Sequence, residues 1–517
     1  MLKIRYNNFC TLGYRQAVRH WTLTPTFGCS NHSTPAKCTK IILSLCIFNI
    51  IINGSCLILK RLIGDKTFYK QLFVLALPIM LQNGITNFVN MLDNIMVGRI
   101  GTAEMTGIAV SNQLLLVFNL CIFGAVSGAG IFGAQFYGKD DREGVRDTFR
   151  FKVIFCSLLC IAGVLILFFF NQPLISLYLK GEGSKEQALS SLNFAKKYIM
   201  IMLIGLIPYT LSQCYASTLR ETGKALPPMY AGIVAVFINL ILNVILIFGY
   251  LGAPKLGVAG AAVATVISRF IELFVIAFWT HKNAYINQFI TDAYQSLRVP
   301  VRLVKDILKS GAPLMLNETL WAAGIAFLNQ CYSVKGLSVV AANNISQTFF
   351  NVFSVAFMAI GAAIGIILGQ ILGSDDMKKA KEYSVKLIAT SFIISVVVGI
   401  VFALCAEFIP HIYNTTDEVK HLATRLMQIT ALFMPVDAIA HSCYFTLRSG
   451  GKTLVTFVFD SLFVWIISIP AALLISNFTS LNILALYMIV QGLNIIKDIV
   501  GLILVKKGIW IQNIVNN

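Results

Sequence analysis

Two carboxylates, Glu318 and Asp437, stand in long apolar stretches with no basic residue close to them in sequence. An ionised side chain at the centre of a bilayer costs at least ~2.5–3.5 kcal/mol, so each such group needs a partner or a task. If the apolar stretches are helices, Glu318 lies nine residues past Lys309, about 14 Å into its span, and Asp437 lies eleven before Arg448, about 16 Å into its own. The two spans run in opposite directions, yet both acids reach the same depth. A pair of acids near a bilayer midplane suits binding of Na⁺, or holding a proton that is released when access changes. The plainer alternative is that each acid only hydrogen-bonds its own surroundings.

The elements that must hold these acids come in duplicate. Gly133-Ala134-Gln135-Phe136-Tyr137-Gly138-Lys139-Asp140-Asp141 returns 235 residues later as Leu368-Gly369-Gln370-Ile371-Leu372-Gly373-Ser374-Asp375-Asp376. The same shift pairs Ala76-Leu77-Pro78 with Gly311-Ala312-Pro313. A second block, Thr218-Leu219-Arg220-Glu221-Thr222-Gly223-Lys224, matches Thr446-Leu447-Arg448-Ser449-Gly450-Gly451-Lys452 at a shift of 228. Chance likeness between apolar segments seldom keeps Gln, Gly, Arg and Lys at a fixed offset, so the chain reads as two copies of one unit. The counterparts of Glu318 and Asp437 are Asn83 and Tyr209, which makes the acid pair private to the second half.

Hydrophobic residues make up 57% of the chain and charged residues 12%, with a mean hydropathy of +0.76; soluble domains carry about 25% charged residues. Stretches able to cross a hydrocarbon core, about 20 residues each, fall near 70–95, 108–134, 150–171, 197–218, 228–250 and 256–280, then near 310–334, 343–370, 385–406, 424–447, 454–476 and 481–505. The predicted fold is therefore an all-α polytopic membrane protein of twelve transmembrane helices in two six-helix repeats. An even number of spans per repeat relates the lobes by a pseudo-two-fold axis along the membrane normal, with a cavity between them. The lobes are 60–280 and 310–517, joined by a linker over 281–309.

The net charge of +18 does not point to nucleic acid, because the basic residues alternate between loops and are not gathered with aromatics. Lys139, Arg142, Arg146, Arg150 and Lys152 fall on the same side as Lys282, Arg298, Arg302, Lys305 and Lys309, and as Lys378, Lys379, Lys381 and Lys386. The positive-inside rule puts this side, with both core termini, in the cytoplasm of a cell-membrane protein. Residues 1–64 hold no Asp or Glu, and their apolar run Ile41–Leu59 has no counterpart in the second half. They read as an N-terminal extension, 1–59, in preference to a thirteenth span or a targeting segment.

The remaining polar groups inside spans have local explanations. Arg269 and Glu272, three apart on one helical face, form a structural ion pair. Lys497 and Asp460 lie at similar depths from the same side, about 14 Å and about 12 Å, and can neutralise each other with Asp498 nearby. Asp93, 23 residues past Lys70, reads equally as an interfacial residue or a cavity acid. Asn239 and Asn243, one turn apart, make a polar patch with Thr265 that serves either helix packing or a site in the first lobe. Phe349, Phe353, Phe357 and Met358 either line an apolar wall for a substrate or face lipid. Pro78, Pro208, Pro313, Pro435 and Pro470 mark bends. His411, His421 and His441 have no metal-ligand spacing, and no HExxH, P-loop or GxSxG motif occurs. No metal centre or cofactor is expected, and an ATP-driven pump is excluded for this chain alone. The twelve cysteines include no CxxC pair, which argues against a zinc site or a disulfide framework.

The segment Met91-Leu92-Asp93-Asn94-Ile95-Met96-Val97-Gly98, the two Gly-Gln-x-x-Gly helix ends and the two Leu-Arg-x-x-Gly-Lys ends together resemble the multidrug and toxic compound extrusion (MATE) family, in its NorM-like bacterial pattern. The resemblance covers about residues 60–510. It implies that Asp93, Glu318 and Asp437 bind the coupling cation. It departs from the DinF-like branch, which has Asp on helix five where this chain has Asn243. That departure favours Na⁺ over H⁺.

The reading that follows is a cation-coupled antiporter, driven by Na⁺ or H⁺, that exports organic and often cationic compounds from the bilayer-embedded cavity as a monomer. Coupling of this kind requires the two ligands to compete or to prefer opposite states. A flippase for lipid-linked oligosaccharides is the alternative, and would need a more basic cavity. A passive channel is a further rival. An enzyme would need paired metal ligands or a nucleophile with its base, and neither is visible.

Overall fold

In hydrocarbon every backbone N–H and C=O must be paired within its own segment or with a neighbouring one, so long apolar runs of this kind have to be helices. The computed structural model describes residues 62–98, 101–179, 185–413 and 415–516. The predicted extension over 1–59 falls outside them. The described residues form no strand. Their long helices are α1 (Lys66–Gly98), α2 (Thr102–Gly138), α3 (Arg142–Leu179), α4 (Lys185–Glu221), α5 (Leu226–Phe248) and α6 (Val258–Lys282). The second half supplies α7 (Val301–Ser333), α8 (Leu337–Phe353, resuming after Ser354 as Val355–Gly373), α9 (Met377–Cys405), α10 (Asp417–Ser449), α11 (Thr453–Phe478) and α12 (Ile483–Lys507). Eleven of them are long and apolar enough to cross a membrane. The exception, α7, has its apolar run diluted by Asn317, Glu318, Asn329 and Gln330. The arrangement is an all-α membrane protein of twelve long helices, six to a repeat.

Most helices outrun the apolar stretches that announce them. The charged turn Arg142–Arg150 belongs to α3, and α7 starts at Val301 inside the stretch read as linker. Charged residues can extend a helix past the lipid, where an apolar count cannot see it. Lys152 needs a correction: it is no loop residue but lies in α3 with no exposed surface, and its ammonium is 2.6 Å from the Glu221 carboxylate of α4. The rest of the linker is fastened to the first lobe. Phe289, Ile290 and Ala293 are buried in that lobe's core. Arg150 donates to the carbonyls of Ala293 at 2.9 Å and Asp292 at 2.7 Å. Tyr294 meets Tyr215 hydroxyl to hydroxyl at 2.6 Å, and burial pushes the Tyr294 phenol up. Lys224 donates to the Ile286 carbonyl at 2.7 Å, with its ammonium pulled below its usual range by burial.

The duplicated Gly-Gln-x-x-Gly ends are where the two lobes meet. In each motif Gln and the second Gly are three residues apart and so share one helical face. Gly138 of α2 packs against the backbone carbonyl of Gln370 in α8, and Gly373 of α8 packs against the carbonyl of Gln135 in α2; a methyl group at either glycine would overlap that oxygen. The side chains are exchanged in the same way. Gln135 donates to the Ser449 carbonyl at 2.9 Å at the end of α10, and Gln370 donates to the Glu221 carbonyl at 2.7 Å at the end of α4. One turn after another inward, Gly128 of α2 meets Gly311 of α7, where an added Cβ would come within 2.5 Å of the partner Cα. A buried cluster that includes Ala129 and Phe132 of α2 with Ile364, Leu368 and Leu372 of α8 fills the seam.

The chain after α12 reinforces this end. Trp510 is fully buried, and its indole donates to the Val505 carbonyl at 3.2 Å. Beyond it, Gln512 donates to the Gly450 carbonyl at 2.6 Å and Asn513 to that of Gly373 at 3.2 Å, while the Ile514 amide donates to the Gln135 side chain at 2.8 Å. The segment thus belongs to the second lobe and reaches the first through Gln135.

Overpacking a tight contact costs about 1–3 kcal/mol. The expected result for Gly373→Val is therefore a local loosening: backbone amides in 135–139 and 370–375 should exchange with solvent roughly tenfold faster or more, with α5, α6 and α12 unchanged. Hydrogen-exchange mass spectrometry on the purified protein reads this directly. Unaltered exchange at both motifs would remove the contact from its assigned role.

Candidate functional site

Polar atoms buried in a bundle must find one another, and in the second lobe they gather into two neighbouring sets. Tyr444 of α10 donates to Glu318 of α7 at 3.0 Å. Beside Glu318, Asn317 donates to Asp460 of α11 at 3.1 Å, and Ser461 donates to the Asn317 side-chain and main-chain oxygens at 2.7 Å each. Lys497 of α12 pairs with Asp460. Asn494, one turn before Lys497, donates to Asp437 of α10 at 3.4 Å. Asp498 is buried as well, and one of its oxygens has no hydrogen-bond partner.

Asp460 and Ser461 reach Asn317 because α11 is not a regular helix there. Val458–Leu462 and Val464–Ser468 are π-helical turns, and such wide turns shift the register of what they present to a neighbour. Pro470, which has no N–H to return to the preceding turn, follows the second of them. Trp465 donates to the Leu320 carbonyl at 2.9 Å and holds α11 against α7.

Glu318 and Asp437 therefore stand in two neighbouring sets: Glu318 is joined through Tyr444 and Asn317 to Asp460 and Lys497, Asp437 is held by Asn494, and the sets approach where Asn494 and Lys497 lie one turn apart on α12. Among the described residues no three acidic, histidine or cysteine side chains stand close enough to hold a metal ion. Charge in the set is unbalanced: Glu318, Asp437, Asp460 and Asp498 share the lobe with Lys497, which is already paired with Asp460. Arg448 lies 5.9 Å from the Tyr444 ring and makes no salt bridge with Glu318. His441 is packed among Phe357, Tyr444 and Phe445, with ring centroids at 5.9, 6.3 and 5.0 Å, and Gly361 leaves room for it.

The first lobe keeps its polar groups in pairs. Asn243 donates to Asn239 at 3.1 Å and Asn239 to Thr265 at 3.2 Å. Arg269 contacts Glu272 at 3.0 Å and lies over the Tyr209 ring at 4.9 Å. The side chain of Asp93 is outside what is described, although α1 runs through its position.

Between the lobes, just inside the closed end, lies a cavity of about 130 Å³. Its walls are α2 (Ser127, Gly130), α4 (Arg220, Glu221), α8 (Ala362, Gly365) and α10 (Phe445, Arg448). None of Phe349, Phe353, Phe357 or Met358 lines it. They pack inside the second lobe instead, Phe353 stacked on Phe402 of α9 at 4.6 Å and Phe349 edge-on to Tyr413 at 6.5 Å. Sequence reasoning missed Tyr444, Asn317, Ser461 and Asn494, which carry no signal in a run of helix. The two arginines did have one, the repeated Leu-Arg motif.

The sequence profile of the MatE family matches residues 78–245 and 313–474, one match in each half. A "Probable multidrug resistance protein NorM" of Thermotoga maritima is 25% identical over 452 residues, covering 85% of this chain and 93% of that one. A "Probable multidrug resistance protein YoeA" of Bacillus subtilis is 27% identical over 431 residues, covering 82% and 90%. Among solved structures, one described as the outward-facing conformation of a multidrug resistance MATE family transporter superposes with a TM-score of 0.78 at 19% identity, covering 87% of this chain and 97% of that one. The crystal structure of a MATE protein in its straight conformation gives 0.77 at 19% identity, with coverage of 87% and 97%. These superpositions show a shared fold.

Removing one partner of a buried ion pair leaves the other charge uncompensated, which costs about 3–5 kcal/mol. Asp460→Ala is expected to lower the thermal midpoint of the purified protein clearly, because Lys497 and Asn317 both lose their acceptor. The double change Asp460→Leu with Lys497→Met should recover most of the loss, and a midpoint as low as that of Asp460→Ala would refute the pairing as the cause.

Proposed function

The chain belongs to the MatE family, and from that premise we propose that it is a secondary multidrug exporter: Na⁺ or H⁺ enters the second lobe from outside and drives organic, often cationic, compounds out by alternating access. The observation that carries the reading is the excess of acid in the second lobe. Glu318, Asp437 and Asp498 share the lobe with a lysine already paired with Asp460, and one buried Asp498 oxygen has no hydrogen-bond partner. Such a group gains most from a bound cation. Glu318 and Asp437 are the cation ligands in this reading, with Asp93 as a third.

Closure at the basic end supports the transport cycle. The lobes meet there through glycine contacts and main-chain carbonyls, a surface that can part without leaving a buried charge behind. With the basic loops in the cytoplasm, the described conformation is closed to the cytoplasm. A cation taken up from the opposite side favours release of the bound compound, and release of the cation inside resets the cavity. The protein sits in the cell membrane and acts as a monomer, since its two lobes complete the pathway. A flippase for lipid-linked oligosaccharides is the second reading, favoured by the two arginines that line the cavity.

Reconstituted into vesicles with an imposed Na⁺ or pH gradient, the protein is expected to move a fluorescent organic cation with one gradient and not the other. Glu318→Gln and Asp437→Asn should each cut that gradient-driven rate by roughly tenfold or more while the protein still inserts. Efflux untouched by both substitutions would sink the site; transport of a lipid-linked sugar with no dye movement would select the flippase.

A further inference from the structure

We propose that the inter-lobe cavity holds an anionic group of the transported molecule, a carboxylate or a phosphate ester, between Arg220 and Arg448. The inference rests on the export reading for the word transported, and deepens it by naming a chemical class. Each lobe supplies one arginine, from the same place in its repeat. Arg220 of α4 donates to the Gln82 side chain at 2.7 Å, and its buried Nε has no partner. Arg448 of α10 is only 9% exposed; its Nη2 donates to the Ser127 hydroxyl across the seam, and its buried Nη1 has no partner.

Neither charge is paired: among the described residues neither arginine is in a salt bridge. The acid in the cavity wall, Glu221, is taken by Lys152 at 2.6 Å and by the Ser217 hydroxyl. Phe445 lies against the Arg448 guanidinium at 4.9 Å and Tyr444 at 5.9 Å, which offsets part of its lost hydration but leaves its Nη1 hydrogens free. A guanidinium presents a planar fork of donors that matches a carboxylate or phosphate and is a poor match for most other ligands. Two such forks facing one cavity with their own acid already committed make an anion site.

Size limits what enters. Pockets that enclose a drug-sized molecule run to roughly 300–1,000 Å³, whereas this one is about 130 Å³. It takes the anionic head, and the body of the molecule lies elsewhere along the seam.

The test uses the full-length chain in nanodiscs and a matched pair of dyes, a rhodamine with a free carboxylate and its methyl ester, followed by fluorescence polarisation. The parent should prefer the free acid. Arg220→Gln and Arg448→Gln should each weaken the free acid roughly tenfold, as expected for one charge-assisted hydrogen-bonded contact, and leave the ester within about twofold. Arg220→Lys, which keeps the charge and loses the fork, should fall between. Hexanoate and hexyl phosphate as competitors name the source, the stronger one identifying the head group. Equal loss of both dyes, no loss of either, or displacement by chloride as effective as by hexanoate would overturn the proposal. Binding needs no gradient, so an exporter without acid preference and an acid-selective protein without export fail on different axes.

Discussion

The contact on which this architecture turns is the approach of a glycine to a backbone carbonyl, made twice. Gly138 against Gln370 and Gly373 against Gln135 are the two halves of one pseudo-symmetric interface, and neither can tolerate a side chain. This follows from geometry that a duplicated unit imposes. If two copies face each other across an axis, whatever one copy uses to touch its partner must fit the same surface on that partner, as in a symmetric dimer. A motif that carries both the small residue and the polar one, three apart on a helix face, solves that requirement once for both lobes.

Symmetry of contact is not matched by symmetry of charge. Lys152 and Glu221 make a buried pair in the first lobe, and their repeat counterparts are Leu387 and Ser449. Glu318 and Asp437 answer to Asn83 and Tyr209. Each lobe has thus kept one frame and filled it with different chemistry: the first pairs Lys152 with Glu221 and Arg269 with Glu272, while the second leaves acids in excess. A frame built from glycines, carbonyls and apolar side chains constrains little else about the interior, which is why the two interiors could diverge without losing the interface.

Much of the frame was legible in sequence because it rests on two robust signals, the length of apolar runs and the offset of a polar motif. The helix count and the repeat follow from these. What sequence could not supply was partnership. Glu318 and Asp437 stood out because charge in an apolar run is expensive, but Tyr444, Asn317 and Ser461 are ordinary residues whose importance comes from facing one another across three helices. The π-turns of α11 that bring Asp460 and Ser461 to Asn317 leave only Pro470 as a trace. The aromatic residues of α8, which sequence left between a cavity wall and a lipid face, show the same dependence on partners: Phe353 stacks on Phe402 and Phe349 meets Tyr413 edge-on. Lys152 was assigned to the wrong environment because a run of basic residues looks like a loop even when its last member turns inward.

The position of Arg448 links the two themes. Its guanidinium donates to Ser127 of the other lobe and lies 5.9 Å from the ring of Tyr444, whose hydroxyl holds Glu318 at 3.0 Å. A cation arriving at Glu318 adds a charge of the same sign as Arg448, and an anion arriving in the cavity adds one of opposite sign. The first raises the electrostatic cost of keeping Arg448 where it is, and the second lowers it. In the proposed cycle one side chain on the seam thus responds in opposite senses to the two ligands, and opposite response to two ligands is the thermodynamic requirement for exchanging one against the other.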